Sequence, residues 1–494
     1  MAATTVTMNT ETRIMPATRT APANIVAETP AAEIQRIFNL QRNAQAPIAN
    51  STVRQRKARL NALHQAILNY RPSLKEALYD DYRKHPTEVD LAEIYAVTSE
   101  LKHAKRHLSA WMSDQRVPTP LAFLGSSSRI KHEPKGVVLI ISPWNFPVNL
   151  TFGPMVSAIA AGNTVVAKPS ELTPHTSALI KRIVTEVFPE EEVAVVEGGV
   201  ATTTSLLEQP FNHIFFTGSP AIGKVVMTAA AKHLASVTLE LGGKNPTIVD
   251  GTADLDLAAR RIAWSKYFNN GQICIAPDHV FIHKSQEEAF IRKVQEQVEK
   301  FYTGDPQREP SYNRIVNAHH FLRVKGYVDD AVAAGGKVRM GGTFDAEQNY
   351  IAPTLMTGVP ENSALMTNEI FGPVLPVIAY TDIDAVIARI NASAKPLGLY
   401  VYSRSRKNIR HILDNTRAGG SCVNHSAVHF FNPHLPFGGS NNSGIGKGHG
   451  RFGFEEFSNA RAVLTQHMPG PLELLLMPYD RFKQKLIDLT IRFF

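Results

Sequence analysis

The sequence predicts an α/β fold built from two doubly wound units, and three observations predict it. First, short apolar runs at 137–141, 164–167, 193–196 and 213–216 alternate with helical patterns at 150–161, 177–188 and 221–234. Apolar strands without polar alternation are buried on both faces, as in a parallel sheet covered by helices. Second, the later half repeats the idea, with a strand-like run at 280–283, a helix at 383–390 and another strand at 399–402. Third, 494 residues exceed what one ordinary core holds, so two or three domains follow.

The remaining segments fall into place in chain order. The first 30 residues are rich in Ala, Thr and Pro and carry no apolar signal core, so 1–30 reads as a disordered tail. Val53, Leu60, Leu63 and Ile67 mark one face of a helix. A second helical region runs through Leu74, Leu78 and Tyr82, and a third spans 91–108. Pro118, Pro120 and Gly125 break the stretch 116–134, which is therefore not helical. Phe290, Val294, Val298 and Phe301 form a helical face in the second unit. After Pro478, Phe482, Leu486, Leu489 and Phe493 recur at helical spacing beside Arg481, Lys483, Lys485 and Arg492. This C-terminal segment, 471–494, is amphipathic, too short and too charged to span a bilayer.

Composition narrows the class. A hydrophobic fraction of 44% with 19% charged residues is that of a globular protein. The net charge of +8 is spread along the chain, and no basic run interleaved with aromatics points to nucleic acid. Only two cysteines occur, Cys274 and Cys422, and neither has metal-ligand spacing, so no metal site is expected. Such sparse cysteine use suits a reducing, cytoplasmic setting. Cys422 lies in a strand-like edge and reads as a small buried residue. His425, His429 and His434 read as loop histidines rather than ligands.

Four stretches carry chemistry. Glu240 stands in Thr238-Leu239-Glu240-Leu241-Gly242-Gly243-Lys244, and Cys274 in Phe268-Asn269-Asn270-Gly271-Gln272-Ile273-Cys274. A thiol and a carboxylate on loops of one layered unit suit covalent catalysis, in which the thiolate attacks and the carboxylate later activates water. The plain alternative, a buried Cys beside an unrelated Glu, does not explain the costly Gly-Gly and Asn-Asn-Gly neighbours. Pro143-Trp144-Asn145-Phe146-Pro147 follows the first strand and presents an amide that can donate to an oxyanion. As a bare pattern it is equally a turn. Lys168-Pro169-Ser170-Glu171 ends the second strand, where ribose hydroxyls can meet Lys168 and Glu171, or where the two are merely solvated. Gly218-Ser219-Pro220-Ala221-Ile222-Gly223 opens a helix after a strand, with Ser219 suited to the cap and Pro220 to the first turn. That spacing alone is a weak nucleotide signal.

Leu239-Glu240-Leu241-Gly242-Gly243-Lys244 and Gly271-Gln272-Ile273-Cys274 resemble the two signatures of the NAD(P)-dependent aldehyde dehydrogenase superfamily. The resemblance runs from about residue 50 to about residue 465, in wording similar to the class 3 branch of fatty and aromatic aldehyde dehydrogenases. It implies Cys274 as nucleophile, Glu240 as deacylating base and Asn145 as oxyanion donor. It implies a cofactor site from Lys168, Ser170, Glu171, Gly218 to Gly223, and Leu241. Glu369 would hold the nicotinamide ribose and Phe371 pack near the nicotinamide. Glu171 favours NAD by repelling a 2′-phosphate, while Lys168 leaves NADP open. The implied architecture is a Rossmann-type cofactor domain (31–117 and 136–238), a second α/β catalytic domain (239–454) and a small β oligomerisation element (118–135 and 455–470). A homodimer, a medium-chain, long-chain or aromatic aldehyde substrate and a peripheral membrane contact through the C-terminal segment follow the same resemblance. A CoA-acylating relative and a non-catalytic binding protein are the rival readings. Glu240 weighs against the first, and the presence of Asn145, Glu240 and Cys274 together weighs against the second.

Overall fold

The structure is a computed structural model that describes residues 26–493. Residues 1–25 of the expected tail lie outside the described residues. Residues 26–30 do not hang free as that expectation had them. Thr29 Oγ1 donates to Glu197 O at 2.6 Å, and Glu28 accepts from the backbone N–H groups of Gly199 and Thr202.

The first unit is a six-stranded sheet in the order Gly444–Ile445, Ser236–Glu240, His213–Thr217, Val137–Ile141, Thr164–Lys168, Val193–Val195. All neighbours run parallel except Gly444–Ile445, which closes one edge antiparallel. The strand order reverses between Val137–Ile141 and His213–Thr217, the crevice where open sheets bind ligands. Both faces are covered. Val138 and Ile140 share one core with Leu63, Leu101 and Phe152, while Leu139 and Ile141 share the other with Ile34, Phe38 and Val226. The helix Pro147–Ala161 stops at Gly162, whose φ of 93° suits only glycine comfortably. The Arg56 guanidinium occupies the space beside it and donates to Ala160 O at 3.0 Å.

The second unit is a seven-stranded sheet in the order Lys337–Met340, Thr354–Thr357, Val374–Tyr380, His279–His283, Pro246–Val249, Gly398–Tyr402, Gly420–Val423. Only the first pair is antiparallel. Ile248, Phe281 and Val401 face one core, and Val249, Val280 and Tyr402 the other. Cys422 is buried on the edge strand. A third sheet of Gln115–Val117, Ser126–Pro134 and Ser458–Gln466 is antiparallel and stands apart from the other two sheets.

Three differences from the sequence expectations have physical causes. Residues 444–457 return to the first unit, so the boundary expected at 454 falls earlier. Gly444 pairs with Glu240 and seals a sheet edge, and Phe454 and Phe457 join the core of Phe152. Strand residues 239–240 likewise belong to the first sheet. The helix expected at 91–108 begins as a π-turn, Asp90–Ile94, before Tyr95–Trp111. The helices Ala31–Ala49, Ala318–Ala333 and Arg406–Asn415 were not expected. Pro47 near the end of the first masks its pattern, although Ile34, Ile37, Phe38 and Gln41 lie on one face. The C-terminal helix does form, as Arg481–Phe493.

Candidate active site

The thiol loop begins where the helix Leu255–Tyr267 ends. Asn269, Asn270 and Gly271 take φ values of 49°, 56° and 70°, three left-handed residues in succession. Asn and Gly are the residues that tolerate this region, which accounts for the Asn-Asn-Gly sequence. A side chain on Gly271 would meet Gly372 O at 2.3 Å. Side chains then pin the loop. Asn270 Nδ2 donates to Asn313 O at 2.7 Å, and Gln272 Nε2 to Arg314 O at 3.1 Å. Asn245 Nδ2 donates to Cys274 O at 2.8 Å and Ala276 O at 2.9 Å. Cys274 is thereby held half-buried at the wall of a cavity.

Glu240, the last residue of its strand, lines the same cavity. It is buried, and neither carboxylate oxygen has a hydrogen-bond partner among the described residues. Burial pushes its pKa well above the usual carboxylate value, partly offset by Lys447 and reinforced by Glu456. Burial likewise pushes the Cys274 thiol up, with the charges of Glu369 and Glu240 adding to it. An unpaired buried carboxyl is costly, and such groups cluster where chemistry needs them.

Asn145 is anchored to the thiol loop. Its Nδ2 donates to Gln272 O at 2.9 Å, two residues before the thiol. Its carbonyl accepts from Tyr82 Oη at 2.9 Å, Asn269 Nδ2 at 3.1 Å and Lys84 Nζ at 3.3 Å. Lys84 also forms a wholly buried ion pair with Glu93 at 2.8 Å, and Glu93 accepts from Asn149 N at 2.8 Å. This support was not anticipated. Glu93 is buried within the π-turn Asp90–Ile94, which no local pattern announced.

Phe146, Trp264, Phe268, Phe430, Phe431 and Phe437 supply much of the cavity's aromatic wall. Phe430, Phe431 and Phe437 come from the loop stretch that also holds the three histidines. Glu100 and His449 form a polar exception, 3.5 Å apart. The three loop histidines go separate ways. His429 Nδ1 lies 3.3 Å from Cys422 Sγ, His434 packs edge-on to His103, and His425 bonds Ser426.

The expected cofactor residues gather at the carboxyl edge of the first sheet. Lys168 Nζ bonds Glu171 at 2.7 Å, and Ser170 O accepts from Ser177 Oγ at 2.7 Å. Gly218 N donates to Glu240 O at 3.0 Å, tying the nucleotide turn to the strand that carries the carboxyl. Ser219 caps the helix Pro220–Ala231. Ala221 and Ile222 are exposed on its first turn, and Ile222 N donates to the capping Ser219 Oγ at 3.4 Å. Gly223 admits Leu241: a Cβ there would sit 2.8 Å from Leu241 Cδ2. Pro220, Gly242 and Glu369 line one cleft, and a Cβ on Gly242 would fall 2.1 Å from a Glu369 carboxylate oxygen. Burial and Asp278 push the Glu369 pKa up to about 8, against the Gly243 N–H, Arg323 and Lys244. Phe371 has a φ of 45° and meets the Trp144 ring edge-on at 5.4 Å. Arg323 holds this strained segment by donating to Ile370 O at 2.9 Å and Phe371 O at 3.3 Å. An exposed helix start, a paired Lys and Glu at the end of the second strand, and glycines that let other groups approach the backbone fit a dinucleotide.

The chain is similar to known proteins. The description "Aldehyde dehydrogenase family" matches residues 4–463. Human aldehyde dehydrogenase family 3 member B1 is 43% identical over 424 residues, covering 86% of this chain and 89% of the relative. The 4,4′-diaponeurosporen-aldehyde dehydrogenase of Staphylococcus aureus is 40% identical over 429 residues, covering 87% and 93%. The substrate-bound structure of Staphylococcus aureus AldH superposes with a TM-score of 0.88 at 37% identity, over 93% of this chain and 99% of that one. The chain therefore belongs to the aldehyde dehydrogenase family, on its class 3-like side, and is an enzyme that oxidises an aldehyde to the acid with a nicotinamide cofactor.

Proposed function

We propose that Cys274 is the nucleophile, Glu240 the base and Asn145 the oxyanion donor of this oxidation. The observation that carries the reading is the shared cavity: a half-buried thiol and an unpartnered buried carboxyl face one apolar chamber. The Cys274 thiol gives up its proton to solvent, and the thiolate adds to the aldehyde carbon, forming a thiohemiacetal oxyanion. One N–H of the Asn145 amide is spent on Gln272 O, and the other meets the oxyanion. A bound nicotinamide supplies the hydride acceptor. Loss of hydride leaves a thioester on Cys274. Glu240 then takes a proton from water, which attacks the thioester and frees the acid and the thiol. Burial that raises the Glu240 pKa makes its ionised form a stronger base.

The same residues suggest the cofactor's seat. Lys168 and Glu171 hold the adenine-side ribose, the start of the helix Pro220–Ala231 takes the pyrophosphate, and Glu369 takes the nicotinamide ribose. Glu171 favours NAD over NADP. The aromatic chamber suits a medium-chain, long-chain or aromatic aldehyde. Support for a homodimer is the exposed apolar set Leu121, Leu124, Leu464 and Met468 around the three-stranded sheet. The C-terminal helix carries exposed Phe482, Leu489, Ile491 and Phe493 beside basic residues, which supports peripheral contact with an anionic membrane from the cytoplasmic side. Among the described residues no helix is long and apolar enough to cross a membrane.

A panel of straight-chain and aromatic aldehydes, read as kcat/KM with NAD and with NADP, tests the substrate and cofactor reading. It expects kcat/KM to rise with chain length and NAD to exceed NADP. Preference for two- or three-carbon aldehydes contradicts the chamber as the substrate site.

A further inference from the structure

Segment 26–30 reaches the first sheet at the edge that holds Lys168 and Glu171. Glu28 Oε2 accepts from Gly199 N at 3.0 Å, Thr202 N at 2.9 Å and Thr202 Oγ1 at 2.5 Å. Thr202 Oγ1 in turn accepts from Thr29 N at 2.9 Å. These backbone donors open the helix Val200–Leu207, which has no capping side chain of its own beside Gly199. A Cβ on Gly199 would lie 3.1 Å from Glu28 Oε1 and 3.8 Å from Glu171 Cγ, so the two acidic side chains flank one glycine. Lys168 is bonded to Glu171 and exerts its charge on Glu28 as well. The corner thus holds two carboxylates and one lysine.

Free N–H groups at a helix start, at the carboxyl edge of an open sheet, are where a phosphate settles. Here the chain sets its own carboxylate on those donors. We propose that Glu28 is a cofactor-specificity residue: it occupies this anion seat and repels a 2′-phosphate, so that a dinucleotide with a free 2′-hydroxyl is preferred. The inference rests on Lys168 and Glu171 holding the adenine-side ribose. It adds a second, independent carboxylate from a segment far from the nucleotide motifs in sequence.

Binding to the full chain tests it without turnover. Calorimetry compares 5′-AMP with adenosine 2′,5′-bisphosphate on wild type, Glu28→Gln, Glu28→Ala and Glu171→Gln, alongside the NADP/NAD ratio of kcat/KM. Glu28→Ala removes the charge and vacates the donors, and is expected to improve the bisphosphate relative to AMP by about tenfold. Glu28→Gln keeps an oxygen on the donors and loses only the charge, for about threefold. It also keeps the segment docked if the alanine variant loosens it. If both Glu28 variants leave the ratio unchanged while Glu171→Gln shifts it, the Glu28 inference is overturned and the ribose reading stands. If Glu171→Gln also leaves both ligands unaffected, the ribose reading falls and the inference falls with it.

Discussion

At the scale of single residues, the proposed roles rest on what each side chain lacks or spends. Among the described residues the Glu240 carboxylate has no hydrogen-bond partner, Cys274 feels the charges of Glu369 and Glu240, and Asn145 spends one amide N–H on the thiol loop. Attack requires the thiol to lose its proton, and burial, Glu369 and Glu240 all oppose that loss. Raising pH removes the proton, so kcat/KM rises with pH between about 6 and about 9. A flat profile across that window contradicts a buried thiol as the group that must ionise. Asn145→Ala removes one oxyanion donor and lowers kcat/KM by roughly 10²–10³-fold. Measured loss below about threefold removes Asn145 from that role. These residues were legible because thiol, carboxyl and amide each stood in stretches rich in Gly, Pro or Asn. The Lys84–Glu93 pair was not legible, since its partners meet only after a π-turn forms. Glu28 was hidden for another reason: its polar, Ala- and Pro-rich surroundings gave no hint of docking.

At the scale of elements, continuous apolar runs revealed Val137–Ile141, Thr164–Lys168, Val193–Val195 and His213–Thr217 of the first sheet within a residue or so, because burial on both faces removes polar alternation, but not its inner strand Ser236–Glu240. Its antiparallel edge, Gly444–Ile445, was invisible: a two-residue strand between Ser443 and Gly446 carries no period. Helices such as Arg406–Asn415 escaped for a similar reason, since only Ile412 of that helix is buried. The C-terminal helix is the element whose purpose is most open to test. It was readable from the spacing of Phe482, Leu486 and Leu489, and the structure leaves Phe482 and Leu489 exposed. Truncation after Met468 is expected to weaken turnover of long-chain aldehydes and binding to anionic liposomes, with short-chain turnover retained. Unchanged long-chain activity together with unchanged liposome binding assigns the helix to packing alone.

At the scale of the whole molecule, the chemistry belongs to neither sheet alone. Glu240 ends a strand of the first sheet, Cys274 precedes a strand of the second, and the cavity between them receives both. Gly444, returning late in the chain, pairs with Glu240 and fixes the strand that carries it. The relation between the two units was legible only through the family's signatures, because no periodicity reports how two sheets face each other. The account's central claim is that Cys274 carries the acyl group and Glu240 releases it across this cavity. The most direct measurement is rapid-quench analysis of Glu240→Gln with aldehyde and NAD, reading NADH formation and the mass of the Cys274 peptide. The account predicts a burst of NADH approaching one equivalent per site, a slow steady state, and an acyl adduct on Cys274. A steady-state rate equal to wild type, with no adduct on Cys274, would contradict it.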